Sequence, residues 1–363
     1  MATLIFEGET KILLERFHEY SGPGKKHTGF YNPVLEIDRD LNVLFCQYIV
    51  EKGARKFLDA LSSTGIRGIR MAKEVEGDIE VDINDSNPKS YEIMKKNVYI
   101  NKVSVNAYNK NFCSLANEKK YDYIDIDPYG SPVKFIPCMF RALKKKTYVS
   151  ITATDTATLC GIFRKACLRK YHAIPLKKQS AKEAGLRILI GCIARHAGSF
   201  DYSFKPLIGY SYGHFFRIYG KMERGARKAD ESIKNIGWIV WDDGWRFFGY
   251  KKINKFVIGG PIWTGKIYDR ECIDEILKII DKKNLNKKDE LKKMLKLFKE
   301  EESFPPLYYE TKYIAKEVKT AQPKIEKLIE KLRNKGYMAG RTHFMPDAIK
   351  TDAPYSEIKI LFV

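Results

Sequence analysis

The run Tyr123-Ile124-Asp125-Ile126-Asp127-Pro128-Tyr129-Gly130 ends an apolar strand on a carboxylate, a proline and an aromatic ring. An aspartate and the carbonyl before a proline can each accept a hydrogen bond from one NH2 group, and Tyr129 offers a face on which a flat ring can stack. The chemistry that fits is reaction at an exocyclic amine of a base. A strand ending in an ordinary turn uses the same residue types, so the neighbouring strand ends decide between the two readings.

Those neighbours come from an alternation of apolar segments and helical patterns between Arg55 and Thr156, the rhythm of a parallel sheet covered by helices. The predicted strands are Lys56 to Leu61, Ile79 to Ile83, Val105 to Tyr108, Tyr121 to Asp127 and Tyr148 to Ala153, with a helix from Pro88 to about Tyr99. In an open α/β sheet ligands lie outside the carboxyl ends of the strands. Gly65 and Gly68 follow the first strand and allow close approach of backbone to a ligand, although Ser-Ser-Thr-Gly-Ile-Arg-Gly is not a G-x-G-x-x-G sequence. Asp85 ends the second strand, where a carboxylate can bind ribose hydroxyls. Asn111 and Phe112 follow the third, placed to read and cover an adenine, and Asp127 closes the row. Each residue also has a plain structural use as a turn or cap. A nicotinamide-dependent dehydrogenase would share the first two sites but leaves Asp-Pro-Tyr-Gly unexplained.

Charge narrows the substrate. Of a net +20 over 363 residues, the segment from Ser131 to Lys228 holds +16, with 20 Lys and Arg against only Asp155, Glu183, Asp201 and Glu223. Such concentration marks a surface facing a polyanion, and nucleic acid fits better than a membrane because no lipidation signal accompanies it. Arg164, Lys165, Arg169 and Lys170 are candidate phosphate ligands, as are Arg341 and His343 near the C-terminus; the alternatives are solvated helix charge and a structural histidine. No apolar run reaches 18 residues and no basic leader precedes one, so a soluble, cytoplasmic protein is expected. The seven cysteines form no Cys-x-x-Cys and are odd in number, which argues against a disulfide framework and for mostly buried thiols. A change of pattern near 221 to 230 predicts two domains, 1–225 and 226–363. The second begins with a compact β module holding all four tryptophans between Gly237 and Trp263, followed by amphipathic helices over Leu285 to Glu301 and Lys324 to Asn334. The run Leu186 to Ala194 belongs to a stretch of mixed helices and strands. A monomer is expected.

Together these motifs resemble a known family. Phe30-Tyr31-Asn32-Pro33 with Arg39-Asp40, Leu58-Asp59-Ala60-Leu61, Gly65-Ile66-Arg67-Gly68-Ile69-Arg70, Asp125 through Pro132 and Thr152-Ala153-Thr154-Asp155 resemble the tRNA (guanine-26, N2,N2) dimethyltransferases of archaeal type. The likeness continues through Gly225-Ala226-Arg227-Lys228-Ala229-Asp230, Gly260-Pro261-Ile262-Trp263, Arg341-Thr342-His343-Phe344 and Lys350-Thr351-Asp352-Ala353-Pro354. It implies a class I S-adenosylmethionine-dependent, Rossmann-like α/β domain with a mostly parallel sheet, plus a smaller α+β C-terminal domain that binds tRNA. By position it implies that Arg39, Arg67, Asp85, Asn111 and Phe112 contact S-adenosylmethionine, and that Asp127 and Pro128 hold the guanine amine. On the residues' own chemistry, Tyr129 is expected to stack on the base and Phe30 is a candidate for the opposite wall, the alternative being that a lone aromatic belongs to the core. Many members have aspartate then alanine at the Asn111-Phe112 position. Some carry a cysteine cluster where this chain has Trp241-Asp242-Asp243, so no metal is expected. The alternatives are a non-catalytic RNA-binding protein on this scaffold, or methylation of another RNA or DNA.

Overall fold

The computed structural model describes residues 3–14, 31–249 and 256–362. Phe30 lies outside the described residues. Contacts divide the chain into two compact units, the first built from Met1–Thr154, Tyr219–Arg224 and Glu271–Lys293, the second from Asp155–Ile218, Gly225–Arg270 and Met294–Val363.

The first unit begins with an antiparallel hairpin, β1 (Thr3–Glu7) and β2 (Thr10–Leu14). Helix α1 (Glu36–Glu51) follows and is buried from Ile37 to Val50. Then come β3 (Lys56–Asp59), α2 (Ile66–Glu74), β4 (Glu80–Asn84), α3 (Pro88–Asn101), β5 (Asn106–Tyr108), α4 (Phe112–Leu115), β6 (Tyr121–Ile126), α5 (Ile136–Met139) and β7 (Leu143–Ala153). Local chemistry sets the boundaries. Asn87 caps α3 by accepting from Lys89 N at 2.9 Å, with Pro88 in the first turn, and Lys102 ends the helix in the left-handed region. Asn97 and Asn101, one turn apart on α3, accept from Leu13 N (2.8 Å) and Lys11 N (2.9 Å), which satisfies main-chain donors of β2. Strand β7 starts five residues before the sequence pattern indicates. Leu143 pairs with Tyr121 across a register shift, and the intervening Lys144, Lys145 and Lys146 hide the strand.

The chain continues through α6 (Thr156–Leu159), α7 (Arg164–Tyr171), α8 (Ala181–Gly198), β8 (Tyr202–Tyr212) and β9 (Phe215–Arg224). The apolar run Leu186 to Ala194 is thus wholly helical, the middle of α8. One seven-stranded sheet has the order β5-β4-β3-β6-β7-β9-β8, and its first five strands pair in parallel. The strand order reverses between β3 and β6, where open α/β sheets place their ligands. This is the Rossmann-like α/β architecture expected.

Helix α9 (Ala226–Ile233) leads into β10 (Ile236–Trp241), β11 (Trp245–Gly249) and β12 (Val257–Trp263), an antiparallel sheet in the order β11-β10-β12 that carries the four tryptophans. The remaining elements are α10 (Arg270–Ile279), α11 (Lys288–Glu301), β13 (Tyr309–Glu310), α12 (Thr311–Val318), α13 (Ile325–Asn334), β14 (Ala339–Arg341), β15 (Ala348–Thr351) and α14 (Tyr355–Ile360). A small sheet, β13-β15-β14, shares a core with α12, α13 and α14 built on Tyr309, Ile314, Leu328, Leu332, Ile349 and Ile358. No helix among the described residues is long and apolar enough to cross a membrane.

The cysteines depart in one respect from expectation. Cys46, Cys167, Cys192 and Cys272 are buried thiols, but Cys113 and Cys138 form a disulfide, with Cα atoms 5.0 Å apart. The packing of α4 against α5 brings together two cysteines 25 residues apart, a juxtaposition that spacing does not announce.

Candidate active site

Asp127 lies just beyond the carboxyl end of β6, and Arg67, in the first turn of α2, reaches it. The Arg67 Nη2 donates to Asp127 Oδ2 at 2.8 Å and to Asp38 Oδ2 at 2.7 Å. Its Nε stands 3.7 Å from Asp125 Oδ2. Arg67, Asp38 and Asp125 are buried, whereas Asp127 is half-buried. The inner carboxylates are held in turn. Asp125 Oδ2 accepts from Ser150 Oγ (2.7 Å), Tyr123 Oη (3.0 Å) and Asn42 Nδ2 (3.2 Å), and Asp38 Oδ1 accepts from Tyr219 Oη (3.2 Å). A buried charge needs such pairing to be tolerated.

A fourth acid completes the cluster. Asp59, at the end of β3, accepts from Gly68 N at 3.1 Å. Burial, then the nearby Asp125 charge, pushes its carboxyl up to about 7. Gly68 itself is there for packing: a Cβ would stand 2.2 Å from Ile83 Cγ2. Helix and sheet approach closely at this point, so the glycine serves the helix–sheet contact.

The turn between β3 and α2 forms the other side. Gly65 adopts φ +81° at the helix start, and Asp85 after β4 accepts from Ser63 N (2.9 Å) through Oδ2 and from Asn87 N (2.8 Å) through Oδ1. Each oxygen retains a lone pair able to accept from a ribose hydroxyl. Burial raises the Asp85 carboxyl above its ordinary value, against the pull of those two amides. Tyr129 is 43% exposed, and its hydroxyl is hydrogen-bonded to the Ser63 side chain. The expected acceptor loop and donor loop therefore touch directly.

The loop after β6 is held from behind as well. Gly130 N donates to Thr154 Oγ1 at 2.6 Å, and Thr154 N donates to Gly130 O at 2.9 Å. This pair of hydrogen bonds fixes Asp127-Pro128-Tyr129-Gly130 to the end of β7. Thr154 belongs to the motif Thr152-Ala153-Thr154-Asp155, whose residue types alone do not show this partner. The sequence signal for Asp38 and Asp125 is the pair of carboxylates spaced by two at Asp38/Asp40 and Asp125/Asp127.

The other expected site residues fall in different settings. Arg39 is buried and donates to Glu7 through Nε (2.7 Å) and Nη2, and to Asn32 O at 3.0 Å, with its guanidinium over the Tyr31 ring. Burial favours the neutral acid at Glu7, but Arg39 and Arg70 outweigh it and hold the carboxyl below its ordinary value. Arg39 thus fastens the chain before α1 to the first hairpin. Asn111 uses its carboxamide to cap α4, accepting from Cys113 N at 2.9 Å, and Phe112 is buried (2% exposed) beside Phe135.

In the second unit, Arg164 and Lys165 are exposed on α7. Arg341 is exposed and pairs with Glu326 and Pro346 O. The His343 ring is enclosed: Nδ1 lies 2.7 Å from Glu301 Oε1 and 3.0 Å from Tyr268 Oη, and Nε2 accepts from Ser211 N at 3.2 Å. Thr342 Oγ1 donates to the other Glu301 oxygen at 2.8 Å. Lys350, buried, pairs with Glu183 at 2.8 Å, and Glu183 also binds Arg187. These C-terminal motif residues hold structure together. Among the described residues no group of three or more His, Cys, Asp or Glu is arranged to hold a metal ion.

Residues 8–362 match the family described as N2,N2-dimethylguanosine tRNA methyltransferase. The chain belongs to this family. Relatives extend over nearly its whole length. The tRNA (guanine(26)-N(2))-dimethyltransferase of Pyrococcus abyssi is 38% identical, with 97% of this chain and 96% of that protein covered. The protein of the same name from Methanosphaera stadtmanae is 35% identical, covering 99% and 96%. The solved structure of Trm1 from Pyrococcus horikoshii with S-adenosyl-L-methionine superposes with a TM-score of 0.89 at 34% identity, covering 98% of each chain. The dimethylguanosine methyltransferase fold is thereby shared from end to end, and the cluster around Asp127 lies in its α/β part.

Proposed function

We propose that this chain transfers methyl groups from S-adenosylmethionine to the exocyclic N2 amine of guanine 26 in tRNA, giving N2-methyl- and then N2,N2-dimethylguanosine. The observation that carries the reading is the placement of Asp127, oriented by Arg67 and beside Tyr129, next to a β3–α2 turn and an Asp85 suited to a ribose. Family membership supports the same substrate and cofactor. When bound, S-adenosylmethionine supplies an electrophilic sulfonium methyl. Asp85 would hold the ribose of that donor, with the turn at Ser62 to Gly65 and the main chain at 111–112 around it. Arg67 would meet its charged end. Arg39 acts by fixing the segment leading into α1.

The guanine amine is a weak nucleophile because its lone pair is delocalised into the ring. Asp127, with Oδ2 on Arg67, has its other oxygen to accept one N–H, and a carbonyl of the Asp127-Pro128 segment accepts the second. Both bonds favour a pyramidal nitrogen whose lone pair points at the methyl. As the N–C bond forms and the S–C bond breaks, Asp127 takes the amine proton. The Tyr129 face holds the base in plane with this arrangement, and orientation supplies much of the acceleration. Phe30 is proposed as the opposite wall. The basic belt, with Arg164, Lys165 and Arg341, would hold phosphates, and His343, enclosed by Glu301, Tyr268 and Ser211, would hold the C-terminal fold. Residues 1–225 would then carry catalysis together with part of the phosphate contacts, 226–363 would carry the remaining tRNA binding, and a tRNA substrate favours the cytoplasm.

Nucleoside analysis of unmodified tRNA after reaction with labelled S-adenosylmethionine tests the reading. Label in N2-methyl- and N2,N2-dimethylguanosine is expected. Label at adenine, or only in DNA, would reject it.

A further inference from the structure

Apart from Arg164 and Lys165, proposed to hold phosphates, the segment that leaves the end of β7 has no part in the proposed methyl transfer, yet its surface is unusual. From Thr156 to Lys182 the chain holds seven Lys and Arg and no Asp or Glu. Arg164, Lys165 and Arg169 are exposed on α7, and Asp155 is taken by Lys170 (3.4 Å) and Tyr171 Oη (2.6 Å) of the same helix. Among these cations, Ile162, Phe163 and Leu168 stand 63%, 59% and 56% exposed. Leu168 follows Lys165 by three positions and Arg164 by four, so the apolar and basic groups share one helix face. Cys167 and Tyr171 occupy the buried face.

The apolar tip is held firmly. Ile162 N and Phe163 N both donate to Ala157 O, at 2.9 and 3.3 Å, and Arg195 Nη2 donates to Tyr171 O at 2.7 Å. Gly161 passes so close to the Leu176 carbonyl that a Cβ would lie 2.5 Å from its oxygen. Three large apolar groups in water are costly, and a helix needing only charge would carry none. A second copy of the chain is a poor occupant, because a self-complementary contact would bring two such cation clusters together. A base stack flanked by phosphates satisfies both the apolar and the basic groups. Apolar side chains inserted between bases, with Arg and Lys on the adjacent backbone, are a recurring way to unstack a nucleotide.

We infer that Phe163, with Ile162 beside it, is a wedge that enters the base stack of the RNA next to the guanine to be methylated, while Arg164, Lys165 and Arg169 grip the flanking phosphates. The inference rests on the proposed tRNA methylation. In the chain the segment follows directly on Thr154, which is hydrogen-bonded to Gly130 of the Asp127 loop.

The test uses the full chain and a tRNA carrying 2-aminopurine beside the target guanine, whose fluorescence rises on unstacking. Phe163→Ala should bind this tRNA within about threefold of wild type and melt at the same temperature, but lose the fluorescence rise. Its single-turnover methylation should fall about ten- to hundredfold, the scale of one lost base–aromatic stack. A tRNA whose target guanine has no pairing partner should restore most of the rate. Phe163→Leu, which keeps bulk but removes the ring, carries the test if the alanine variant melts early. Wild-type fluorescence and rate in both variants, or equal loss on both tRNAs, would overturn the wedge. So would a change in sedimentation, or in binding to anionic vesicles, with methylation unaltered, which would give the patch to a second copy or to a membrane. If wild-type enzyme methylates no tRNA, the proposed function fails; if wild type and variant methylate equally, only the wedge does.

Discussion

Arg67 donates to Asp127 at 2.8 Å, so a residue proposed to meet the methyl donor also orients the residue proposed to take the amine proton. Only Oδ2 of the carboxylate is used in that bond. The same guanidinium neutralises the buried Asp38, which makes the cluster structural as well as chemical.

Removing Arg67 should therefore damage stability and activity together. Arg67→Ala removes the guanidinium that neutralises buried Asp38 and should cost about 3–5 kcal/mol in urea unfolding. Arg67→Lys keeps the charge but loses the planar fork. It should retain most of the stability while single-turnover methylation falls about ten- to hundredfold.

Gly68→Ala should cost about 1–3 kcal/mol or more by overpacking, since its Cβ would lie 2.2 Å from Ile83 Cγ2. Placing the same change in an Ile83→Ala background removes the obstructing methyl. A double-mutant cycle should then show a favourable coupling, and strict additivity would contradict the packing role given to this glycine.

Asp59 makes a prediction about pH. Its carboxyl is raised to about 7 in the folded chain by burial and by Asp125, above an unfolded value of about 4. Between these values the folded state binds the extra proton, so this group lowers stability as pH rises from about 4 to 7 and has no further effect above. Asp59→Asn should flatten the loss of urea midpoint between pH 5 and pH 7.5. An unchanged slope would show that another carboxyl, such as Asp85 or Glu74, dominates there.

Arg341 and His343 should separate cleanly. His343→Ala removes a buried ring joined to Glu301, Ser211 and Tyr268, and should cost about 2–4 kcal/mol. Arg341→Ala removes an exposed ion pair and should change stability by less than about 1 kcal/mol. In tRNA-binding titrations it should reduce the salt slope by about one.

The parallel-sheet rhythm and the row of strand-end residues are legible in the sequence because β3, β4, β5 and β6 are short segments each followed by a polar turn. Asp85 and Asp127 lie at such ends. What it could not display were side-chain partners distant in the chain: Arg67 with Asp38, Gly130 with Thr154, Cys113 with Cys138. Residue type was also ambiguous for Gly68, where a glycine that could approach a ligand instead admits Ile83. His343 shows the same limit. Its imidazole could contact RNA or fill a polar core, and only the positions of Glu301 and Ser211 distinguish the two.

The most direct test of the central claim compares Asp127→Ala with wild type in methylation of tRNA under single turnover and in tRNA binding. The predicted result is loss of methyl transfer with affinity for tRNA within a few-fold. Methyl transfer that survives the substitution, or a loss of binding equal to the loss of transfer, would contradict the role given to Asp127.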